Sequence, residues 1–247
     1  MLHFLKNTVK FALLDRWRIP YSQISSVPPC VFDNFRYSQP ITLVDVGAYK
    51  GHFTLGLEAL CKVKAGVLIE PNKMLAQGLR ENDALSRFRI EECALADFDG
   101  DIEMHFFPGA LDMSSALDLD RSSLELVERS GDEVQKRICP ARQLDTILAD
   151  FSADSIDLLK IDVQGLEHLV LKGAACTLAR TKAVYTEVSF RALYEGSSVF
   201  HEIYTAMMDS GFMMRAIETG YWSSAGELLQ GDVLFVNPTL QSFSARR

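Results

Sequence analysis

The stretch ITLVDVGAYKGHFTL, residues 41–55, constrains the fold more than any other part of the chain. An apolar run reaches Val46, glycines follow at positions 47 and 51, and an apolar pattern then resumes. Glycine adopts backbone conformations that other residues avoid, and it lets a backbone approach a ligand closely. The stretch therefore predicts a buried strand that turns sharply into a helix, with the turn available to hold a ligand.

Strands and helices alternate along the rest of the chain. Apolar runs predict further strands at 65–70, 87–95, 155–162, 183–188, 211–217 and 232–237, and helical patterns occupy 52–62, 72–82, 165–173 and 198–210. This alternation predicts an α/β fold with a mostly parallel sheet covered by helices on both faces. The last two strands have no helix between them, so we expect an antiparallel hairpin at the edge of the sheet.

Length and composition favour one large domain. The chain has 247 residues, of which 48% are apolar, enough for a sizeable core. We expect an amphipathic helix at 1–17 within a lead-in segment (1–40), followed by the main domain (41–247). An insertion at about 100–140 contains a β-ribbon, a turn-rich stretch and a short helix at 121–130. We expect this insertion to form the substrate-binding region.

Charge and cysteine usage exclude several classes of protein. A net charge of −8 argues against a nucleic-acid partner, which would require a basic surface. The five cysteines are scattered and form no C-x-x-C pair, which argues against a disulfide framework or a zinc site. No stretch approaches the roughly 20 apolar residues of a transmembrane helix, and the N-terminus does not resemble a signal peptide. We therefore expect a cytoplasmic protein, whose oligomeric state stays open.

Carboxylates follow or end most of the predicted parallel strands. They are Asp45, Glu70, Asp162 and Glu187. Glu70 stands 19 positions beyond Gly51 at the end of the second strand, where an acidic side chain can accept hydrogen bonds from ribose hydroxyls. The turn at 47–51 has only two glycines, whereas a dinucleotide-binding turn has three, and Asp45 would repel a pyrophosphate. A cofactor with an amino group and a sulfonium, such as S-adenosylmethionine, fits this edge better than a dinucleotide.

Six segments together resemble successive motifs of the FkbM family of S-adenosylmethionine-dependent methyltransferases. They are VDVGAYKGHFTL, LIEPNKMLAQGLREN, CALADFDGDIEM, the serine pair at 114–115, LDTIL and IDLLKIDVQGLEHLVLKGA. The resemblance implies a class I methyltransferase (Rossmann-like) fold with seven strands, of which six are parallel and the last is antiparallel. It also implies O-methylation of a hydroxyl on a sugar, glycan or natural product.

The resemblance implies a set of site residues. The cofactor contacts would be Asp45, Gly47, Ala48, Tyr49, Gly51, Glu70, Pro71, Asn72, Cys93, Ala94 and Asp162, and the substrate contacts would be Ser114, Ser115 and Gln164. Two residues depart from the family pattern, because Tyr49 stands where Asn is usual and Gln164 where Glu is usual. The first departure affects the expected cofactor contacts, and the second affects the expected catalytic role of position 164.

Methyl transfer to a hydroxyl requires a group that accepts the proton. Asp162 and Glu187 are the candidates for this general base. Asp162 has an alternative role as the cap of the helix that follows it. The same two carboxylates would suit magnesium, but no ligand motif supports a metal, so none is expected.

Two other functions stay open at this point. One is a binding protein that keeps the methyltransferase fold without activity. The other, less favoured because the third glycine is missing, is a nicotinamide-dependent oxidoreductase.

Overall fold

The computed structural model of the protein describes residues 26–36, 38, 40–108, 114–118 and 134–240. The helices predicted at 1–17 and 121–130 lie outside these ranges. The predicted division into a lead-in segment and a main domain stays a prediction. Among the described residues, no helix is both long enough and apolar enough to cross a membrane.

The described strands and helices follow one another mostly as predicted. In chain order the strands are β1 (Ile41–Val46), β2 (Val63–Ile69), β3 (Arg89–Glu91), β4 (Ala94–Leu95), β5 (Gly100–Phe106), β6 (Gln135–Arg142), β7 (Leu158–Ile161), β8 (Ala183–Ser189), β9 (Met213–Thr219) and β10 (Gln230–Val236). The helices are α1 (Pro29–Phe35), α2 (His52–Cys61), α3 (Lys73–Glu81), α4 (Leu144–Ile147), α5 (Glu167–Lys172), α6 (Ala175–Ala179) and α7 (Phe200–Asp209).

Seven of these strands form the main sheet, in the order β3-β2-β1-β7-β8-β10-β9. The pairs from β3 to β8 are parallel, and β10 runs antiparallel to both of its neighbours. The predicted fold class is therefore confirmed, including the antiparallel hairpin at one edge. As a consequence, the carboxyl ends of β1, β2, β7 and β8 and the amino end of β10 lie along one edge of the sheet.

The predicted third strand at 87–95 is wrong in one respect, because the structure divides it. Its first part is β3, in the main sheet, and its last part is β4, in a second sheet of order β4-β6-β5. The residues of β3 are only partly covered, whereas Ala94 and Leu95 are buried. Pairing in the main sheet stops at Glu91 because its partner strand β2 ends at Ile69, and Leu95 then packs into the same core from the second sheet.

The core lies on both faces of the main sheet. All six residues of β1 are buried, as expected for a central parallel strand. Val44 and Val46 pack into the cluster on one face, and Leu43 packs into the cluster on the other face. Asp45 points to the same face as Leu43 because side chains alternate along a strand. The carboxylate of Asp45 therefore lies within the core on that face of the sheet.

Candidate active site

A cavity of about 360 Å³ lies beyond the carboxyl ends of β1, β2 and β7. Ten of the predicted site residues line it: Gly47, Ala48, Tyr49, Glu70, Pro71, Cys93, Ala94, Ser114, Asp162 and Gln164. Five others do not line it: Asp45, Gly51, Asn72, Ser115 and Glu187. These ten residues come from five separate parts of the sequence and converge on one space whose volume is typical of small-molecule sites.

The turn after β1 is fixed by its neighbours within the protein. Gly47 has a φ of 72°, and a Cβ added there would lie 1.8 Å from the carbonyl oxygen of Asp162. A Cβ added at Gly51, with a φ of 75°, would lie 2.4 Å from a methyl group of Leu85. From the sequence, we expected Gly47 to allow close approach of a ligand. In the structure, the close contact with the backbone of Asp162, in the segment after β7, already requires glycine at position 47.

Glu70 directly follows β2 and joins the turn to the cavity wall. One carboxylate oxygen accepts the backbone N–H of Tyr49 at 2.9 Å, and the other accepts that of Asn72 at 2.9 Å. Burial raises the pKa of Glu70, and these two N–H donors oppose the shift. A carboxylate has about four lone-pair sites, so both oxygens can still accept hydroxyl groups.

Asp45 lies below the turn rather than in the cavity wall. It is fully buried, and its Oδ2 accepts the hydroxyl of Thr54 at 2.6 Å. Among the described residues its Oδ1 has no hydrogen-bond partner, and it lies 3.6 Å from the ammonium of Lys160. Burial raises the pKa of Asp45, and the charge of Lys160 opposes that shift.

Asp162 and Glu187, the two predicted base candidates, are joined by Gln164. The Nε2 of Gln164 donates to Asp162 Oδ1 at 3.0 Å and to Glu187 Oε2 at 3.2 Å. The side chain of Asp162 is 38% exposed and lines the cavity. Glu187 does not line the cavity, and burial, followed by the charge of Asp162, raises its pKa well above the usual value. Asp162 is thus the better placed of the two to meet a ligand.

The alternative role of Asp162 as a helix cap finds no support. The backbone N–H groups of Val163 and Gly165, ahead of α5, donate to the carboxylate of Glu167 at 3.0 to 3.2 Å. Glu167 lies in the first turn of α5, and its carboxylate fixes the segment that precedes the helix. The side chain of Asp162 instead contacts Gln164 and Lys160.

A further carboxylate, which was not predicted from the sequence, reaches the same edge. Asp232 pairs directly with Glu187 across β10 and β8, and it lines the cavity beside Tyr185. Burial raises the pKa of Asp232 to about 7, the charge of Asp162 acts in the same direction, and the hydroxyl of Tyr185 opposes them. The signal was available, because the predicted hairpin brings the start of the last strand to this edge.

Three of the predicted residues are occupied with holding nearby segments. The hydroxyl of Ser115 donates to the carbonyl oxygen of Gln164 at 2.7 Å and accepts the N–H of Leu117 at 3.1 Å. The Asn72 side chain accepts the N–H groups of Met74 and Leu75 and so caps α3. Gln164 has a φ of 56°, and its side-chain oxygen accepts the Tyr194 hydroxyl at 3.0 Å.

The cavity suits a cationic adenosyl ligand. Glu70, Asp162 and Asp232 line it, and Lys160, the lysine among the lining residues, is already paired with Asp162. Cys93, Ala94 and Met104, from the region of the second sheet, add an apolar wall. No group of three or more histidine, cysteine or acidic side chains within the described ranges has an arrangement that could hold a metal ion. The residues present therefore fit S-adenosylmethionine.

Comparison with known proteins agrees with this geometry. Residues 45–214 match the family model described as the methyltransferase FkbM domain. The chain is 35% identical over 133 residues to the 2-O-methyltransferase NoeI of Sinorhizobium fredii (strain NBRC 101917 / NGR234), a match that covers 51% of this chain and 54% of that protein. It is 28% identical over 195 residues to the methyltransferase sdnD of Sordaria araneosa, covering 69% of this chain and 73% of that protein.

The fold also resembles a solved structure. The methyltransferase FkbM from Methylobacillus flagellatus KT superimposes with a TM-score of 0.53 at 16% sequence identity, over 85% of this chain and 47% of that one. The chain thus spans about half the length of this protein and of NoeI. At this level of identity the likeness concerns the fold.

Proposed function

Because the chain belongs to the FkbM methyltransferase family, we propose that it transfers a methyl group from S-adenosylmethionine to a hydroxyl of a sugar, glycan or natural product. The observation that carries the proposal is the convergence of Glu70, the 47–49 turn and Asp162 on one cavity. The similarity to NoeI, a 2-O-methyltransferase, supports a hydroxyl acceptor.

The cofactor would lie between the ends of β2 and β7. When bound, S-adenosylmethionine supplies an activated methyl group on a positively charged sulfur. The carboxylate of Glu70 would accept hydrogen bonds from the ribose, and the turn backbone at Gly47, Ala48 and Tyr49 would border the amino-acid end. Cys93 and Ala94 would border the adenine. Strands lie about 4.8 Å apart, so β2 and β7, two strand positions apart, are separated by roughly 10 Å.

Asp162 is the proposed general base. It would accept the proton of the acceptor hydroxyl, and the bound cofactor would supply the methyl group to that oxygen. A positioned base accelerates such reactions by roughly 10²–10⁴-fold, and alignment of the reacting groups contributes about 7–11 kcal/mol more. Burial raises the pKa of Glu187 well above its usual value, and this residue does not line the cavity, so it would act on Asp162 through Gln164.

The acceptor would enter on the side of the insertion. Ser114 and Gln164 line the cavity there, and Ser115 fixes the 114–118 segment to the backbone of Gln164. Tyr185 and Asp232, on β8 and β10, also line the cavity. These residues offer hydrogen-bonding groups to a hydroxyl-rich molecule.

Calorimetric titration tests the cofactor assignment. The purified protein should bind S-adenosylmethionine and not NAD, and Glu70→Ala should weaken that binding by roughly tenfold or more, because hydrogen bonds to a charged group are lost. Asp101→Asn, which alters an exposed carboxylate on β5, is the matched control and should bind normally. Binding of NAD alone would favour an oxidoreductase.

Methyl transfer is tested with methyl-labelled cofactor against sugars, glycans and polyketides. Asp162→Asn should lower kcat by roughly 10²–10⁴-fold with little change in cofactor affinity, because Asn keeps the shape but loses the basicity. A wild-type kcat in this variant would exclude Asp162 as the base. Cofactor binding without transfer to any acceptor class would favour an inactive binding protein.

A further inference from the structure

Lys160 occupies an unusual position for a lysine. It lies in β7, a central strand, directly between Asp45 of β1 and Tyr185 of β8, and only 7% of it is exposed. Lysine is almost never buried unless its ammonium is paired, because removing the charge from water is costly. A buried lysine at the reacting edge of the sheet therefore calls for an explanation beyond filling a strand.

The ammonium of Lys160 contacts three separate elements. It donates to the carbonyl oxygen of Gly47 at 2.7 Å and lies 3.4 Å from that of Val46. It lies 3.3 Å from Asp162 Oδ2 and 3.6 Å from Asp45 Oδ1. The carbonyl groups of Val46 and Gly47 belong to the start of the turn. Asp162 belongs to the segment after β7, and the side chain of Asp45 comes from within β1.

These contacts link the cofactor turn to the proposed base. The carbonyl groups of Val46 and Gly47 open the turn, whose next N–H groups, those of Ala48 and Tyr49, donate to Ile69 and Glu70. We propose that Lys160 is a positioning residue that holds this turn and Asp162 in register, and thereby sets the affinity for the cofactor. The inference rests on the proposed function.

The charge of Lys160 persists in this environment. Burial alone would lower its pKa, but the carboxylates of Asp162 and Asp45 raise it above the usual value. The ammonium therefore stays protonated and donates its hydrogen bonds throughout the physiological range. A neutral side chain of similar length would fill the space without these contacts.

A simpler role must be separated from this one. If Lys160 only compensates the buried charge of Asp45, removing both charges together would make it dispensable, since replacing a whole buried pair is often tolerated. Removing Lys160 alone leaves Asp45 uncompensated and threatens folding. The informative variant is therefore the double substitution Asp45→Asn/Lys160→Met, compared with Asp45→Asn.

Calorimetry with S-adenosylmethionine gives the first measurement. The double variant should bind roughly tenfold to hundredfold more weakly than Asp45→Asn, as expected when charge-assisted hydrogen bonds that fix a site are lost. Its melting temperature should stay at or above that of Lys160→Met. Equal cofactor affinities in Asp45→Asn and the double variant would overturn the inference and leave Lys160 as a charge compensator.

Hydrogen exchange gives a second measurement that needs no ligand. Backbone amides of the 47–51 turn should exchange faster in the double variant than in Asp45→Asn, whereas those of α3 should not change. Unchanged exchange in the turn would contradict the proposed positioning. If the wild-type protein binds no S-adenosylmethionine, the proposed function fails, and the exchange comparison still decides whether Lys160 holds the turn.

Discussion

Replacing Gln164 with Glu tests how charge is arranged at the edge of the sheet. The amide of Gln164 donates to both Asp162 and Glu187, and a carboxylate at this position would face both of them without a proton to donate. The substitution hardly changes the size of the side chain and restores the residue that the FkbM family usually has here. Any loss of stability therefore reports on charge rather than on packing.

The size of the loss follows from two competing routes. If the new carboxylate at position 164 and that of Asp162 are both ionised, charges about 3 Å apart repel by roughly 5 kcal/mol at an effective dielectric constant near 20. The exposure of Asp162 reduces this repulsion to roughly 3 kcal/mol. Alternatively the new carboxyl keeps its proton, which costs about 1.4 kcal/mol for each pH unit above its unfolded pKa of about 4.3. Retaining the proton costs roughly 5 kcal/mol near pH 8 but only about 1.6 kcal/mol near pH 5.5.

The sign of the pH dependence follows from the same comparison. A carboxyl whose pKa is raised on folding destabilises the folded state above its unfolded pKa, and the penalty decreases as the pH falls through the folded value. We expect Gln164→Glu to lower the free energy of unfolding by roughly 3 kcal/mol near pH 8 and by about half as much near pH 5.5.

Urea titration at the two pH values measures the effect. Gln77→Glu is the matched control, because Gln77 also donates to a carboxylate, that of Glu81 at 2.7 Å, but on the exposed face of α3. A like-charge pair there should cost only about 0.2–0.5 kcal/mol. If Gln164→Glu lost no more stability than Gln77→Glu, or lost the same amount at both pH values, the electrostatic reasoning would be refuted.

Three further predictions concern the backbone. Tyr49→Asn should raise the free energy of unfolding by about 1 kcal/mol in urea titrations, because Tyr49 has a φ of 51° and Asn accepts this left-handed conformation more readily; a loss would show that contacts of the Tyr49 ring matter more. Gly47→Ala should cost about 4 kcal/mol or more by thermal melting, whereas Gly78→Ala, whose added Cβ would meet nothing within 4 Å, should gain about 1 kcal/mol; similar effects would contradict the packing described for the turn. Lys62→Gly should stabilise by about 1 kcal/mol, since Lys62 has a φ of 60° and a ψ of 135°, and a lower melting temperature would argue against strain there.

The sequence predicts those parts of the fold in which burial is continuous. All of β1 and most of β2 are covered, so their apolar runs are long and clear. In β6, only Cys139 and Ala141 are buried, and Pro140 interrupts the pattern, so no strand was predicted there. The short helices α4 and α6 were missed too, since four or five residues carry too little periodicity to be distinguished from a loop.

The candidate site was predictable where its residues end parallel strands. Glu70 and Asp162 follow this rule, and both line the cavity. Asp232 was not predicted because only the carboxyl ends of strands were considered. In the antiparallel strand β10, it is the amino end that lies at this edge. The contacts of Lys160 with the turn depend on distances across β1 and β7, which a linear pattern does not encode.

The position of β10 has a consequence for how the protein is made. Although β9 precedes it in the chain, β10 lies between β8 and β9, and within the described residues it is the strand that joins β9 to the sheet. During synthesis, β8 therefore keeps an open edge until residues 230–236 have left the ribosome. Domains begin to fold from the N-terminus as they emerge, and an unpaired strand edge invites association with other chains. The nascent sheet thus stays exposed until translation of its last strand closes it.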